Sequence, residues 1–148
     1  MLSAEVYTPD HAAAIRLREA DQAFVDGLGP MAIPIAMGLA RHPGITLLAD
    51  GQVVACGGVV IIWPGVGEAW MRTSHLLGRY PVATLRLTRQ FLDASVSSLK
   101  LRRLQCTVRC GYAPAIKWAE RLGFASEGVL RGFGPDGEDY IMFSRGNA

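Results

Sequence analysis

The sequence predicts an α/β fold of the α+β kind. A mixed, mostly antiparallel sheet of about six to seven strands, with a central parallel pair, is flanked by about four helices. Three observations carry this expectation. Asp50-Gly51 separates two β-rich apolar runs, and this dipeptide favours a tight hairpin because both positions tolerate positive φ. A β-rich run near Glu68, a long helical pattern and a second β-rich run at Leu104 follow one another, the order of a right-handed crossover between parallel strands. A short amphipathic helix ending at Gly123 is followed by two more β-rich runs around Gly134-Pro-Asp-Gly137.

The elements read in order as follows. Residues 5–8 suit a short first strand, after which Thr8-Pro9-Asp10 provides helix-start chemistry for residues 11–23. Residues 27–30 break that pattern, and Pro34 is tolerated near the first turn of a helix ending around Arg41. Residues 45–49 and 52–62 form the hairpin. The consecutive apolar residues Val59-Val60-Ile61-Ile62 are those of a central strand covered on both faces. Residues 68–72 complete a meander, and residues 73–80 read as a polar loop. Pro81 suits the first position of a helix over 81–99, whose apolar residues Val82, Leu85, Leu92, Val96 and Leu99 recur near helical spacing. Residues 104–108 form the next strand. Residues 113–122 form a helix with Ala115, Ile116, Ala119 and Leu122 inward, and Gly123 is a natural C′ residue. Strands over 126–131 and 139–143 close the chain.

Composition narrows the function classes. The 148 residues suit a single domain over 1–148, and with half of them hydrophobic and 19% charged, disorder is excluded as the overall state. A net charge of +2 is far from the basic surface that phosphate-backbone binding needs, so no nucleic-acid partner is expected. Cys56, Cys106 and Cys110 make an odd count without a repeated Cys-x-x-Cys pattern and read as reduced packing residues of a cytoplasmic protein. The N-terminus shows no signal peptide. The longest helical-looking uncharged runs, 31–40 and 53–64, fall short of the roughly 20 residues a spanning helix needs, so no membrane association is expected. His11, His42 and His75 lack metal-ligand spacing, and no metal is expected.

The segment Ala115-Ile-Lys-Trp-Ala-Glu-Arg-Leu-Gly-Phe124 resembles the GNAT (GCN5-related N-acetyltransferase) motif of an apolar helix ending in Leu-Gly-Phe before the sixth strand. The closing pair Glu127-Gly-Val-Leu-Arg131 and Asp139-Tyr-Ile-Met-Phe-Ser144, and the element order as a whole, are also similar to that superfamily. Leu17-Arg-Glu-Ala-Asp21 and Arg79-Tyr-Pro81 are most like short acetyltransferase-like proteins of phages and prophages, which would put the chain in the host cytoplasm or a virion.

The resemblance implies acetyl-CoA as co-substrate, seated against splayed fourth and fifth strands with its pyrophosphate at the start of the helix after strand four. There, unpaired N–H groups and the helix dipole favour an anion. Mapped onto this chain, the cofactor-binding residues are Met71, Arg72, His75, Leu77, Gly78, Arg79 and Tyr80. The family pattern is Gln or Arg, two residues, Gly, one residue, then Gly or Ala. His75 and Gly78 match it in part, Tyr80 departs from it, and Pro81 lacks an N–H donor. Amide formation needs a base for the amine and an acid for the leaving thiolate. Glu68 is the candidate base. The family's usual tyrosine acid falls on Ala119, leaving Tyr112 and Tyr140 as candidate acids.

The expected function is therefore acyl-CoA-dependent N-acyl transfer, most simply of an acetyl group, by direct attack of a small-molecule or protein amine. The alternative is a catalytically degenerate GNAT-fold phage accessory or virion protein acting through a homo-oligomer or a virion partner.

Overall fold

The computed structural model describes residues 1–146. Seven strands form one sheet: β1 (Leu2–Val6), β2 (Gly44–Ala49), β3 (Gln52–Trp63), β4 (Val66–Thr73), β5 (Arg103–Arg109), β6 (Ala125–Leu130) and β7 (Tyr140–Gly146), in spatial order β1-β2-β3-β4-β5-β7-β6. Among the described residues, only β4 and β5 pair in parallel. The α-helices are α1 (Pro9–Ala14), α2 (Glu19–Leu28), α3 (Ala32–Leu39), α4 (Pro81–Ser98) and α5 (Ala113–Arg121). Among the described residues, no helix is long and apolar enough to cross a membrane.

The β2–β3 hairpin turns at Asp50 (φ 51°) and Gly51 (φ 77°), the double left-handed geometry that this dipeptide predicts. Burial along β3 runs from Val53 to Val59, while Ile62 and Trp63 are exposed. The covered stretch thus lies nearer the start of β3 than the apolar run 59–62 suggests.

The expected helix over 11–23 is divided. Leu17 forms an isolated bridge with Ser74, and the Arg18 N–H donates to the Thr73 carbonyl (3.0 Å). The backbone between α1 and α2 is therefore tied to the end of β4 and cannot continue a helix. Gly27, expected to break the pattern, lies inside α2. A Cβ there would stand 2.9 Å from the Asp136 amide nitrogen, so its role is close packing of α2 on the β6–β7 connection. Pro30 lies in a 3₁₀ turn, Gly29–Met31, and a second, His75–Arg79, replaces the expected polar loop.

The sheet is covered on both faces. On one, Val59, Leu104 and Phe143 pack with Leu92 of α4, Leu101, and Leu122 and Phe124 around the end of α5. On the other, Tyr7, Ile15, Cys56 and Trp70 form a core beneath α1 and α3. Neither face is left to solvent over the centre of the sheet, as an α+β layer arrangement requires.

Candidate functional site

The parallel pairing of β4 with β5 lasts three residues: Val66↔Arg103, Gly67↔Leu104 and Glu68↔Gln105. Beyond Glu68, β4 stays with β3 from Ala69↔Val59 to Thr73↔Ala55, and β5 stays with β7 from Cys106↔Phe143 to Arg109↔Tyr140. The sheet therefore opens in its middle as a wedge, leaving the facing backbone edges of both strands without ladder partners.

A cavity of about 450 Å³ fills the wedge and extends beneath α4 and α5. Among the described residues no Asp or Glu lines it, whereas Arg18, Arg109, Lys117 and Arg121 do. Arg109 is paired with Asp136 (2.5 Å), so the excess positive charge comes from the other three. An apolar cleft with a cationic rim suits a ligand with an extended body and an anionic end.

The predicted residues fall in different parts of this arrangement. Met71, Leu77, Gly78 and Tyr112 line the wedge cavity. A Cβ on Gly78 would meet nothing within 4 Å, so the space beside the 3₁₀ turn is open. His75 and Arg79 are exposed on that turn, where the Ser74 hydroxyl caps the Leu76 N–H (3.2 Å) and donates to the Val54 carbonyl (2.9 Å). The Tyr80 side chain packs into the cluster of Leu47, Ala49, Val54 and Leu77. Pro81 occupies the first turn of α4, leaving the Val82 and Ala83 N–H groups free there.

Glu68 is partly buried at the vertex of the wedge, and one of its carboxylate oxygens accepts from Gln105 Nε2 (2.8 Å). Strand alternation puts Glu68, Trp70 and Arg72 on the face covered by α1–α3, opposite Met71. Tyr140 projects from β7 on that same face. Its ring contacts Phe24 (6.2 Å between centroids) and Phe133 (5.7 Å), with the Arg109 guanidinium 5.8 Å from its centre. Burial raises the Tyr140 pKa above the ordinary phenol value, against the lowering influence of Arg109. The hydroxyl is therefore protonated at neutral pH. Ala119 is buried in the cavity wall, where it offers no titratable group.

Some contributors were not anticipated. Trp118 lines the cavity and touches the cores on both sides of the wedge, and its Nε1 is buried without an acceptor. Gln105 holds Glu68, and Asp21 ties α2 to β4 by accepting from both the N–H (2.7 Å) and the hydroxyl (2.8 Å) of Thr73. Trp118 was left out of the residues read as inward, although its place beside Ala115, Ala119 and Leu122 on a 3.6-residue period was a signal for it. Gln105 and Asp21 act through residues far away in sequence and left no local signal. The histidines have local duties: His11 Nδ1 lies 2.8 Å from Thr46 Oγ1, and His42 Nδ1 accepts from the Ile61 N–H (3.2 Å).

A seven-stranded sheet wedged open between its parallel strands, with a helix that re-enters it through Leu122-Gly123-Phe124, is the GNAT fold. No family model matches the chain, and no curated protein matches it in sequence. Solved structures do match. Ard1 from Thermoplasma volcanium is 15% identical with a TM-score of 0.77, covering 97% of this chain and 96% of its own. Ribosomal-protein-S5-alanine acetyltransferase from Vibrio fischeri is 12% identical, TM-score 0.71, covering 99% and 93%. A GNAT-family acetyltransferase from Bacillus anthracis is 12% identical, TM-score 0.69, covering 98% and 94%. At these identities the likeness is one of fold.

Proposed function

We propose that the chain is an acyl-CoA-dependent N-acyltransferase that moves an acetyl group from acetyl-CoA to an amine. The observation that carries this reading is the wedge between β4 and β5, lined among the described residues without acidic side chains and rimmed by cations, with Glu68 at the last paired position before the strands part. An extended amide-bearing arm fits against the unpaired edge of β4, since such an edge accepts a strand-like ligand through main-chain hydrogen bonds. The anionic end of the cofactor then lies by the 3₁₀ turn and the start of α4, where free N–H groups, Arg79 and, when protonated, His75 supply positive potential.

In the reaction the amine nitrogen attacks the thioester carbonyl carbon, the new C–N bond forms, and the C–S bond breaks. The amine loses one proton and the departing thiolate gains one. Glu68, held by Gln105, takes the first, directly or through a water. Tyr112, which lines the cavity, is assigned as the donor to the sulfur, with Tyr140 on the α1–α3 face as the alternative. The acceptor is a small-molecule or protein amine.

Isothermal calorimetry with acetyl-CoA and with CoA tests the reading. Saturable binding of both supports it, and the absence of heat at millimolar ligand would overturn it.

A second reading, a catalytically idle GNAT-fold protein that works by assembly, is favoured by one further observation. Met31, Ile33 and Met37 are all more than half exposed on and beside α3, and exposed apolar residues grouped in this way suit contact with another protein. Light scattering distinguishes the two: a stable oligomer indifferent to CoA supports assembly.

A further inference from the structure

Arg72 projects into the layer between β4 and α2. Its guanidinium stands 4.9 Å from the centre of the Phe24 ring and 5.4 Å from that of Trp70. Among the described residues it joins none of the ion pairs. Asp21, whose field reaches it, has one carboxylate oxygen committed to both Thr73 donors. Desolvation pushes the Arg72 pKa down, and Asp21 is the largest influence opposing this. The cation is nonetheless always charged, because arginine does not deprotonate in proteins. A desolvated guanidinium without a bonded anion is an unbalanced element of the fold.

Arg72 also lines a second cavity of about 450 Å³ enclosed by α1, α2, α3 and the sheet. Its walls include Tyr7, Ile15, Val25 and Leu28, and among the described residues its only other charged lining residue is Asp10. Arg72 and Glu68 share one face of β4, four residues apart, so about 13 Å of strand separates their backbone positions.

We propose that Arg72 is a specificity residue that receives the carboxylate of the acceptor, and that the acceptor is an amine-bearing carboxylate with an apolar body, of the amino-acid class. The apolar body enters the second cavity, the carboxylate takes the two-pronged arginine contact, and the amine faces Glu68. Calling this ligand the acceptor rests on the acyltransferase reading; the carboxylate site itself does not.

The test compares L-phenylalanine with L-phenylalaninamide, which differ only in the carboxylate, by calorimetry in the presence of CoA. CoA alone is titrated in parallel into the unaltered protein and Arg72→Met. The acid should bind at least tenfold more tightly than the amide, and Arg72→Met should abolish that difference while leaving CoA affinity unchanged. Equal binding of acid and amide, no binding of the acid at millimolar concentration, or a matching loss of CoA affinity in Arg72→Met overturns the proposal. If Arg72→Met does not fold, the acid–amide comparison on the unaltered protein decides. If CoA fails to bind while the acid–amide difference and its dependence on Arg72 persist, the acyltransferase reading falls and the carboxylate site stands.

Discussion

Glu68 occupies the last paired position before β4 and β5 part, so its carboxylate is positioned by the sheet and held by one hydrogen bond from Gln105. If it removes the amine proton, Glu68→Gln keeps the size and the Gln105 contact but cannot accept that proton. Turnover should fall by roughly 10²-fold or more, the usual scale of a general base, with CoA affinity unchanged. An equal fall in CoA affinity would instead mean that Glu68 supports the cleft. Tyr112→Phe should lower turnover without changing cavity shape, and a larger effect from Tyr140→Phe would reverse the assignment of the donor. Glu68 and Tyr112 were legible because each sits at a boundary that local pattern marks, a strand start and a strand–helix junction. Arg72 was read from the sequence as a cofactor-binding residue, whereas its side chain lines the second cavity and not the wedge. Strand alternation turns its side chain away from the phosphate-binding turn, and the helix that meets it, α2, is joined to β4 by Asp21 and Thr73, a contact between residues distant in sequence.

At the scale of elements, the hairpins and the Leu122-Gly123-Phe124 re-entry could be read from sequence because each is a local conformational demand. Gly51, at φ 77°, sits where an L side chain is strained by about 1–2 kcal/mol. Gly51→Ala should destabilise the protein by that amount in urea unfolding, and Asp50→Gly should be close to neutral. Gly57 and Gly58 make a different demand that no local pattern reveals. A Cβ on Gly57 would lie 2.7 Å from the Trp70 carbonyl oxygen, and one on Gly58 would lie 2.4 Å from the Pro43 carbonyl oxygen and 2.9 Å from Trp70 Nε1. These are mostly backbone obstacles that cannot rotate away, so the bare strand is what lets β4 carry its bulky Trp70 beside the wedge. Gly58→Ala should cost about 1–3 kcal/mol, the range of overpacked cores, and stability equal to the unaltered protein would show that β3 has room to shift. The split of the first helix escaped the sequence for a related reason. The bridge from Leu17 to Ser74 competes with helix formation from a position far along the chain, and helical periodicity reports only nearby neighbours.

For the whole molecule, both layers hide groups that titrate in alkali. Burial is the leading cause in each case: it raises Tyr7 to about 12, and Cys56 and Cys106 each to about 12. Their ordinary values are 10.0 for the phenol and 9.0 for the thiols. As pH rises past about 9, the unfolded chain releases these protons while the native chain keeps them, so the native state holds more protons and the slope of stability against pH is negative. The stabilisation is complete below about pH 9 and is lost progressively toward about pH 12. Cys56 and Tyr7 share one core beneath α1 and α3, whereas Cys106 packs against the other core and lines the wedge, so the effect comes from both faces of the sheet. Urea midpoints between about pH 8 and 11 should fall steadily, and Cys56→Ala and Cys106→Ala should each make the fall shallower. The comparison is of slopes, because removing either thiol also alters packing at every pH. A midpoint that stays level across that range would mean that the thiols and phenol reach solvent in the native state, which contradicts a core built on both faces of the sheet.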